Sequence, residues 1–128
     1  MASEDQNFAN HHGFDFSAIE KAQAHNEKMI ERAEKDGLLE PGQTIVEPSS
    51  GNTGIALAAI AKLKGYPIKI LMPESVSIER RQMLEVFGAE IILTPGGEGS
   101  NGAVKRALAL AEEHPEWYMP YQYASDAN

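Results

Sequence analysis

Between Gln43 and Glu113 the chain alternates between short apolar runs and longer helical patterns, and a glycine or a proline closes most of the segments. This alternation constrains the fold more than any other feature. Residues 43–47 read as a short strand and residues 53–64 as a helix ending at Gly65. Residues 68–72 form a second strand with little alternation beyond Lys69. Residues 77–87 form a helix closed by Gly88, and residues 90–93 form a third strand. Residues 101–113 form a further helix, stopped by His114-Pro115, and residues 117–123 supply a fourth strand. Strands alternating with helices of this length indicate βαβ units and a parallel sheet, with right-handed crossovers set by strand twist. The expected architecture is a three-layer α/β sandwich with a four-stranded parallel sheet, half of a doubly wound fold, in strand order 3-2-1-4. In that order the first and fourth strands flank the switch point, and ligands bind at the carboxyl ends of such strands. Ser49 to Thr53 then lie close to Gln122.

Ahead of the alternating region the chain reads differently. Residues 1–16 form a polar arm that carries His11, His12, Phe8, Phe14 and Phe16. Two adjacent histidines without further ligands are solvated more often than metal-bound, so no metal site is expected. Ser17-Ala18-Ile19-Glu20 fits a capping box, in which the hydroxyl and the carboxylate each satisfy an orphan N–H. Ile19, Ala22, Asn26, Met29, Ile30 and Ala33 then fall on one helical face. Lys21, Glu27, Lys28, Glu31, Arg32, Glu34 and Lys35 cover the rest as a solvated face. Gly37 stops this helix and Pro41-Gly42 turns the chain. Residues 17–128 are expected to form a single α/β domain.

Composition excludes several partners. Nineteen acidic against eleven basic residues leave a formal net charge of −8, which argues against nucleic acid or an anionic membrane surface. The chain has no cysteine, so it has neither a disulfide framework nor a thiolate metal site. Met1-Ala2-Ser3-Glu4-Asp5-Gln6 lacks the basic and apolar regions of a signal peptide. No apolar run approaches membrane-spanning length. A soluble, cytoplasmic protein is expected.

The chemistry concentrates in Pro48-Ser49-Ser50-Gly51-Asn52-Thr53-Gly54. These residues sit at a strand-to-helix turn. Two readings stand side by side. In one, the turn aims backbone N–H groups at a ligand, the helix N-terminus favours an anion, and the glycines admit close approach. In the other, Ser, Asn and Thr simply cap the helix. The first strand is not followed by G-x-G-x-x-G, and the chain carries no G-x-x-x-x-G-K-[ST]. Ser49 and Ser50 do not sit in G-x-S-x-G, and the residues themselves assign no catalytic group. Glu79-Arg80-Arg81 reads either as a basic anion site or as paired surface charges. Gly96-Gly97-Glu98-Gly99 reads either as a moving flap or as a long turn. His114 reads as a surface cap at a helix C-terminus.

The residues 48–54 resemble the substrate loop of the cysteine synthase family, fold-type II pyridoxal-phosphate enzymes that include cystathionine β-synthase. Further landmarks agree in order: Ala33-Glu34-Lys35-Asp36-Gly37-Leu38, Pro41-Gly42, Gly65-Tyr66, Met72-Pro73-Glu74 and Ser77-Ile78-Glu79-Arg80-Arg81. So do Gly88-Ala89-Glu90, Leu93-Thr94-Pro95-Gly96, Tyr118-Met119-Pro120, Gln122 and Ala127-Asn128. The likeness runs over residues 29–128. The family's reaction is β-replacement: an activated serine, usually O-acetylserine, loses acetate and takes up sulfide to give cysteine. The resemblance implies that Ser49, Ser50, Gly51, Asn52 and Thr53 hold the substrate carboxylate. It also implies that Asn52 approaches the ring hydroxyl of pyridoxal phosphate and that Gln122 adds a carboxylate contact.

Departures from the family matter as much. Ser49 stands where the family often has threonine, and Tyr121 where many members have a second glutamine. The family's Schiff-base lysine lies in an S-x-K-x-R-like segment, seven residues before the position of Met29, and here that position is Ala22. Lys21 is adjacent but falls on the polar face. The family's glycine-rich phosphate cradle belongs to a second domain. The resemblance therefore implies the small, mobile domain of such an enzyme, able to recognise an O-acetylserine-like substrate but not to complete catalysis alone. A second expectation is a binding module whose loop accepts the C-terminal carboxylate of serine acetyltransferase. A third is a homodimer that buries apolar surface left by an absent large domain.

Overall fold

The computed structural model describes residues 16–121. The first helix, α1 (Phe16–Lys35), buries Asn26, Ile30 and Ala33, with Ile19 and Met29 partly buried against the same core. This is the expected apolar face. The buried Asn26 amide donates to the Ala22 carbonyl at 2.7 Å, which satisfies it one turn back along its own helix. Helix is present from Phe16, the first described residue, so Ser17 lies within it. At the other end Gly37 takes φ +78°, and the Leu38 N–H bonds the Ala33 carbonyl at 2.9 Å. That left-handed stop is open to glycine at no steric cost.

Three strands follow, β1 (Ile45–Glu47), β2 (Ile68–Pro73) and β3 (Glu90–Thr94). They are parallel, in the order β1-β2-β3, with Ile45 opposite Ile68 and Ile70 opposite Ile91. The crossovers are α2 (Asn52–Lys64) and α3 (Ile78–Val86), and α4 (Gly99–Glu113) follows β3. Successive strand residues point to opposite faces, and the core divides accordingly. Ile45, Ile68, Ile70 and Met72 pack with Ile30, Ile55, Leu57, Ala58 and Leu84 from α1, α2 and α3. Val46 and Leu71 pack with Ala103, Ala107, Leu110 and Met119 on the side of α4. The fold is thus a three-layer α/β sandwich. No helix of the described residues is long and apolar enough to cross a membrane.

Among the described residues the fourth strand does not form, and the sheet has three strands. Tyr118 alone bridges Ile45, with its N–H on the Thr44 carbonyl at 2.8 Å and its carbonyl taking the Val46 N–H at 2.9 Å. This contact lies on the edge of β1 away from β2. Pro120 cannot donate to a ladder, and Pro120 and Tyr121 turn helical instead. Gln122 and Tyr123 lie outside the described residues.

Gly96 to Glu98 form one 3-10 turn that runs straight into α4. The first strand is shorter than expected because Gln43 serves the preceding turn. Its side chain accepts the Glu40 N–H at 2.8 Å and donates to the Glu116 carbonyl at 2.9 Å.

Candidate functional site

The three parallel strands end at one edge, with Glu47, Pro73 and Thr94 as their last residues. From Glu47 the chain passes through Pro48, Ser49, Ser50 and Gly51 into α2. Gly51 is the N-cap residue, extended at φ −89° and ψ −152°, and no side chain caps the helix. The first backbone bond of the helix runs from the Ile55 N–H to the Gly51 carbonyl at 3.0 Å. The N–H groups of Asn52, Thr53 and Gly54 consequently have no acceptor within the helix. Together with the positive end of the helix dipole they favour an anion. Of the two readings of this loop, the side-chain-capped turn is therefore not the one formed. Ser49, Ser50 and Asn52 are half-buried and Thr53 is exposed at the head of α2.

The two glycines of this loop differ in what they allow. A Cβ at Gly54 would stand 1.9 Å from the Ser49 carbonyl oxygen and 2.9 Å from its carbon. Glycine at this position lets the first turn of α2 fold back over the Ser49 backbone. Its role is internal packing rather than ligand approach. A Cβ at Gly51 would meet only the Arg80 guanidinium, at 3.7 Å, an ordinary contact.

The arginines of α3 reach this same edge. Ser77 caps α3 by accepting the Arg80 N–H at 3.3 Å. The Arg80 Nη1 donates to the Ser50 carbonyl at 3.3 Å. The Arg81 Nη2 donates to the Glu74 carbonyl at 2.6 Å, and the Glu74 N–H in turn bonds the Thr94 carbonyl at 2.9 Å. The Arg81 Nε and the Thr94 hydroxyl are buried with no hydrogen-bond partner among the described residues.

Sequence reasoning missed Glu47. It reads as the polar end of a strand, but its side chain is only 4 % exposed. Burial pushes its carboxyl up to about 7. The available signal was a carboxylate continuing an apolar strand in a parallel sheet covered on both faces.

The remaining candidates lie elsewhere. Lys21 is exposed on α1, whereas a Schiff-base lysine is activated by desolvation or a neighbouring cation. His114 is the C-cap residue of α4, and its N–H bonds the Leu110 carbonyl at 2.8 Å. Its ring stacks on Trp117 at 3.9 Å between centroids, near the start of β1 and away from the loop. Gln122, the second expected carboxylate contact, lies outside the described residues.

Comparison with known proteins places this geometry among relatives. Residues 21–128 match the family model described as pyridoxal-phosphate dependent enzyme. A cysteine synthase of Flavobacterium sp. is 53% identical over 100 residues, which is 78% of this chain and 33% of that protein. The crystal structure of O-ureido-L-serine synthase superposes with a TM-score of 0.73 at 39% identity, covering 77% of this chain and 31% of that one. A hydrogen sulfide-producing enzyme from Fusobacterium nucleatum superposes with a TM-score of 0.72 at 40% identity, covering 80% of this chain and 34% of that one. The chain spans about a third of the length of the curated relatives it matches.

Proposed function

The chain belongs to the pyridoxal-phosphate dependent enzyme family, and we propose that within it residues 49–53 bind the carboxylate of an O-acetylserine-like substrate for cysteine-forming β-replacement. The observation that carries this reading is the uncapped head of α2. Three backbone N–H groups without helical acceptors stand there beside the hydroxyls of Ser49, Ser50 and Thr53. A carboxylate can take several charge-assisted hydrogen bonds from such a set. Ser49, Ser50, Gly51, Asn52 and Thr53 bind and orient the substrate, and Gln122 adds a further contact.

Pyridoxal phosphate, when bound, supplies the electron sink that makes replacement at the β-carbon feasible. The residues present fit one side of that group. Asn52, half-buried at the head of α2, would meet its ring hydroxyl. They do not supply a covalent anchor, because the family's lysine position is Ala22 and Lys21 is exposed. The described domain accordingly recognises substrate and does not complete the reaction by itself.

The test is a titration of the purified chain with O-acetyl-L-serine, followed by the amide resonances of residues 49–54. Those amides are expected to shift, and Asn52→Ala is expected to abolish the shift. Unmoved amides in the wild-type chain would refute the carboxylate reading. Borohydride reduction with pyridoxal phosphate checks the second part, and a stoichiometric adduct at Lys21 would show that the chain holds its own anchor.

The same N–H groups suit the C-terminal carboxylate of a peptide, which keeps a serine acetyltransferase tail as a second reading. A peptide ending in isoleucine that binds wild type and Asn52→Ala alike removes it. Self-association is a third. Leu63 and Val86 are exposed apolar side chains at adjoining ends of α2 and α3, where Lys62 reaches the Val86 carbonyl at 3.3 Å. Light scattering that shows only monomer at high concentration removes that one.

A further inference from the structure

A loop that presents backbone N–H groups to a carboxylate works only if its peptide planes are held. Within its own segment this loop is held by the packing of Gly54 on Ser49 and by the Ile55–Gly51 bond. Neither fixes the Ser50–Gly51 peptide, which sits between them. The group that grips this peptide comes from thirty residues further along the chain. The Arg80 Nη1 donates to the Ser50 carbonyl at 3.3 Å.

We propose that Arg80 is a positioning residue for the carboxylate loop: from the first turn of α3 its guanidinium holds the Ser50 carbonyl and thereby sets the Gly51, Asn52 and Thr53 N–H groups for an anion. The base from which it reaches is itself fixed. Its own N–H is capped by the Ser77 hydroxyl at 3.3 Å. Its neighbour Arg81 ties α3 to Glu74 of the β2–α3 connection at 2.6 Å, and Glu74 is tied to β3 through Thr94 at 2.9 Å. Consecutive arginines on one helical turn thus fasten two different loops at the carboxyl edge of the sheet. The cation also polarises the carbonyl it binds, which strengthens the donor on the far side of the same peptide unit, the Gly51 N–H.

This inference rests on the carboxylate reading above for its purpose, but the anchor itself is testable without a ligand. The experiment uses the whole chain as wild type, Arg80→Met and Arg80→Lys. Amide hydrogen exchange is measured first with no ligand, and O-acetyl-L-serine is then titrated. Arg80→Met keeps an apolar stem and removes the donor. It is expected to speed exchange at Ile55, whose N–H is bonded to the Gly51 carbonyl of the loop, on the order of tenfold while Ile70 and Leu71 in β2 stay unchanged. Affinity for O-acetyl-L-serine is expected to fall by a similar factor, with Arg80→Lys restoring part of both. Unchanged exchange at Ile55 in Arg80→Met overturns the proposal, as does faster exchange with unchanged affinity. A loss of affinity that Arg80→Lys fully restores, with exchange unaltered throughout, overturns it in favour of direct charge contact with the ligand. If the wild-type chain binds nothing, the carboxylate reading fails, and the exchange arm alone decides the anchor. Should Arg80→Met lose its cooperative melt, Arg80→Gln takes its place, since it shortens the reach but keeps a polar head.

Discussion

Replacing Gly54 by alanine sets two known effects against each other. In a helix interior alanine is favoured over glycine by up to about 1 kcal/mol. At this site the added Cβ would stand 1.9 Å from the Ser49 carbonyl oxygen. A carbon and a carbonyl oxygen come into ordinary contact at roughly 3.3 Å, so well over an ångström of overlap must be relieved. The obstacle is backbone, and the carbonyl carbon behind it is also too close, at 2.9 Å. No rotamer change can clear it. Either the loop or the start of α2 must move, at the ~1–3 kcal/mol typical of forced overpacking or more. The steric term therefore wins, and Gly54→Ala is expected to lower stability by about 1–2 kcal/mol net of the propensity gain. Urea denaturation read by far-ultraviolet circular dichroism measures this as a lower midpoint at unchanged slope. The amide resonances of Ser49 to Asn52 should move with it. An alanine variant as stable as wild type, with those amides unmoved, would refute the close approach of α2 to Ser49.

Two further predictions concern titration. The Glu47 carboxyl, raised from 4.5 to about 7 by burial, binds its proton more tightly folded than unfolded. The sign follows: wild-type stability falls as pH rises from about 4.5 to 7, and the full cost of ionising a buried acid stands above that range. Glu47→Gln should match wild type near pH 4.5 and exceed it at pH 8 by on the order of 3 kcal/mol, and a pH-independent difference in urea midpoints would contradict this. Glu34 shows the opposite behaviour. The hydrogen bond from the Tyr66 hydroxyl, and then Lys64 at 3.0 Å, hold its carboxyl below the ordinary value. That stabilisation is present above the unfolded glutamate range and is lost as pH falls through the folded value. Tyr66→Phe, which unties α1 from the end of α2, should cost about 1 kcal/mol at pH 7 and less at pH 3, as read by thermal melts.

The layers of the fold were legible because their signals are local. An apolar run such as Ile68 to Met72 has to be buried, and Gly37, Gly65 and Gly88 each close a helix at positive φ, at +78°, +83° and +84°. A glycine after a periodic run carries that information with no reference to the rest of the chain. The ends were less legible. The segment after α4 has the aromatic, apolar composition of a strand, but Pro120 denies it a donor after a single bridge at Tyr118.

The site was legible in its loop and opaque in its supports, and the reason is the range of the interactions. Residues 48–54 carry their chemistry in sequence: hydroxyls, an amide and glycines between a strand and a helix. What makes the loop usable is non-local. Arg80 reads as one of a pair of surface charges until the fold brings α3 beside the loop and its guanidinium finds the Ser50 carbonyl. Glu47 reads as a polar strand end until helices close over the sheet. Gly54 reads as a residue that admits a ligand until α2 folds back on Ser49. All three adjoin or grip the same short loop, at its foot, its middle and its far end. The head of α2 can remain uncapped by any side chain because backbone packing and a distant arginine, rather than its own hydroxyls, keep it in place. Those hydroxyls then remain for the carboxylate that we propose they bind.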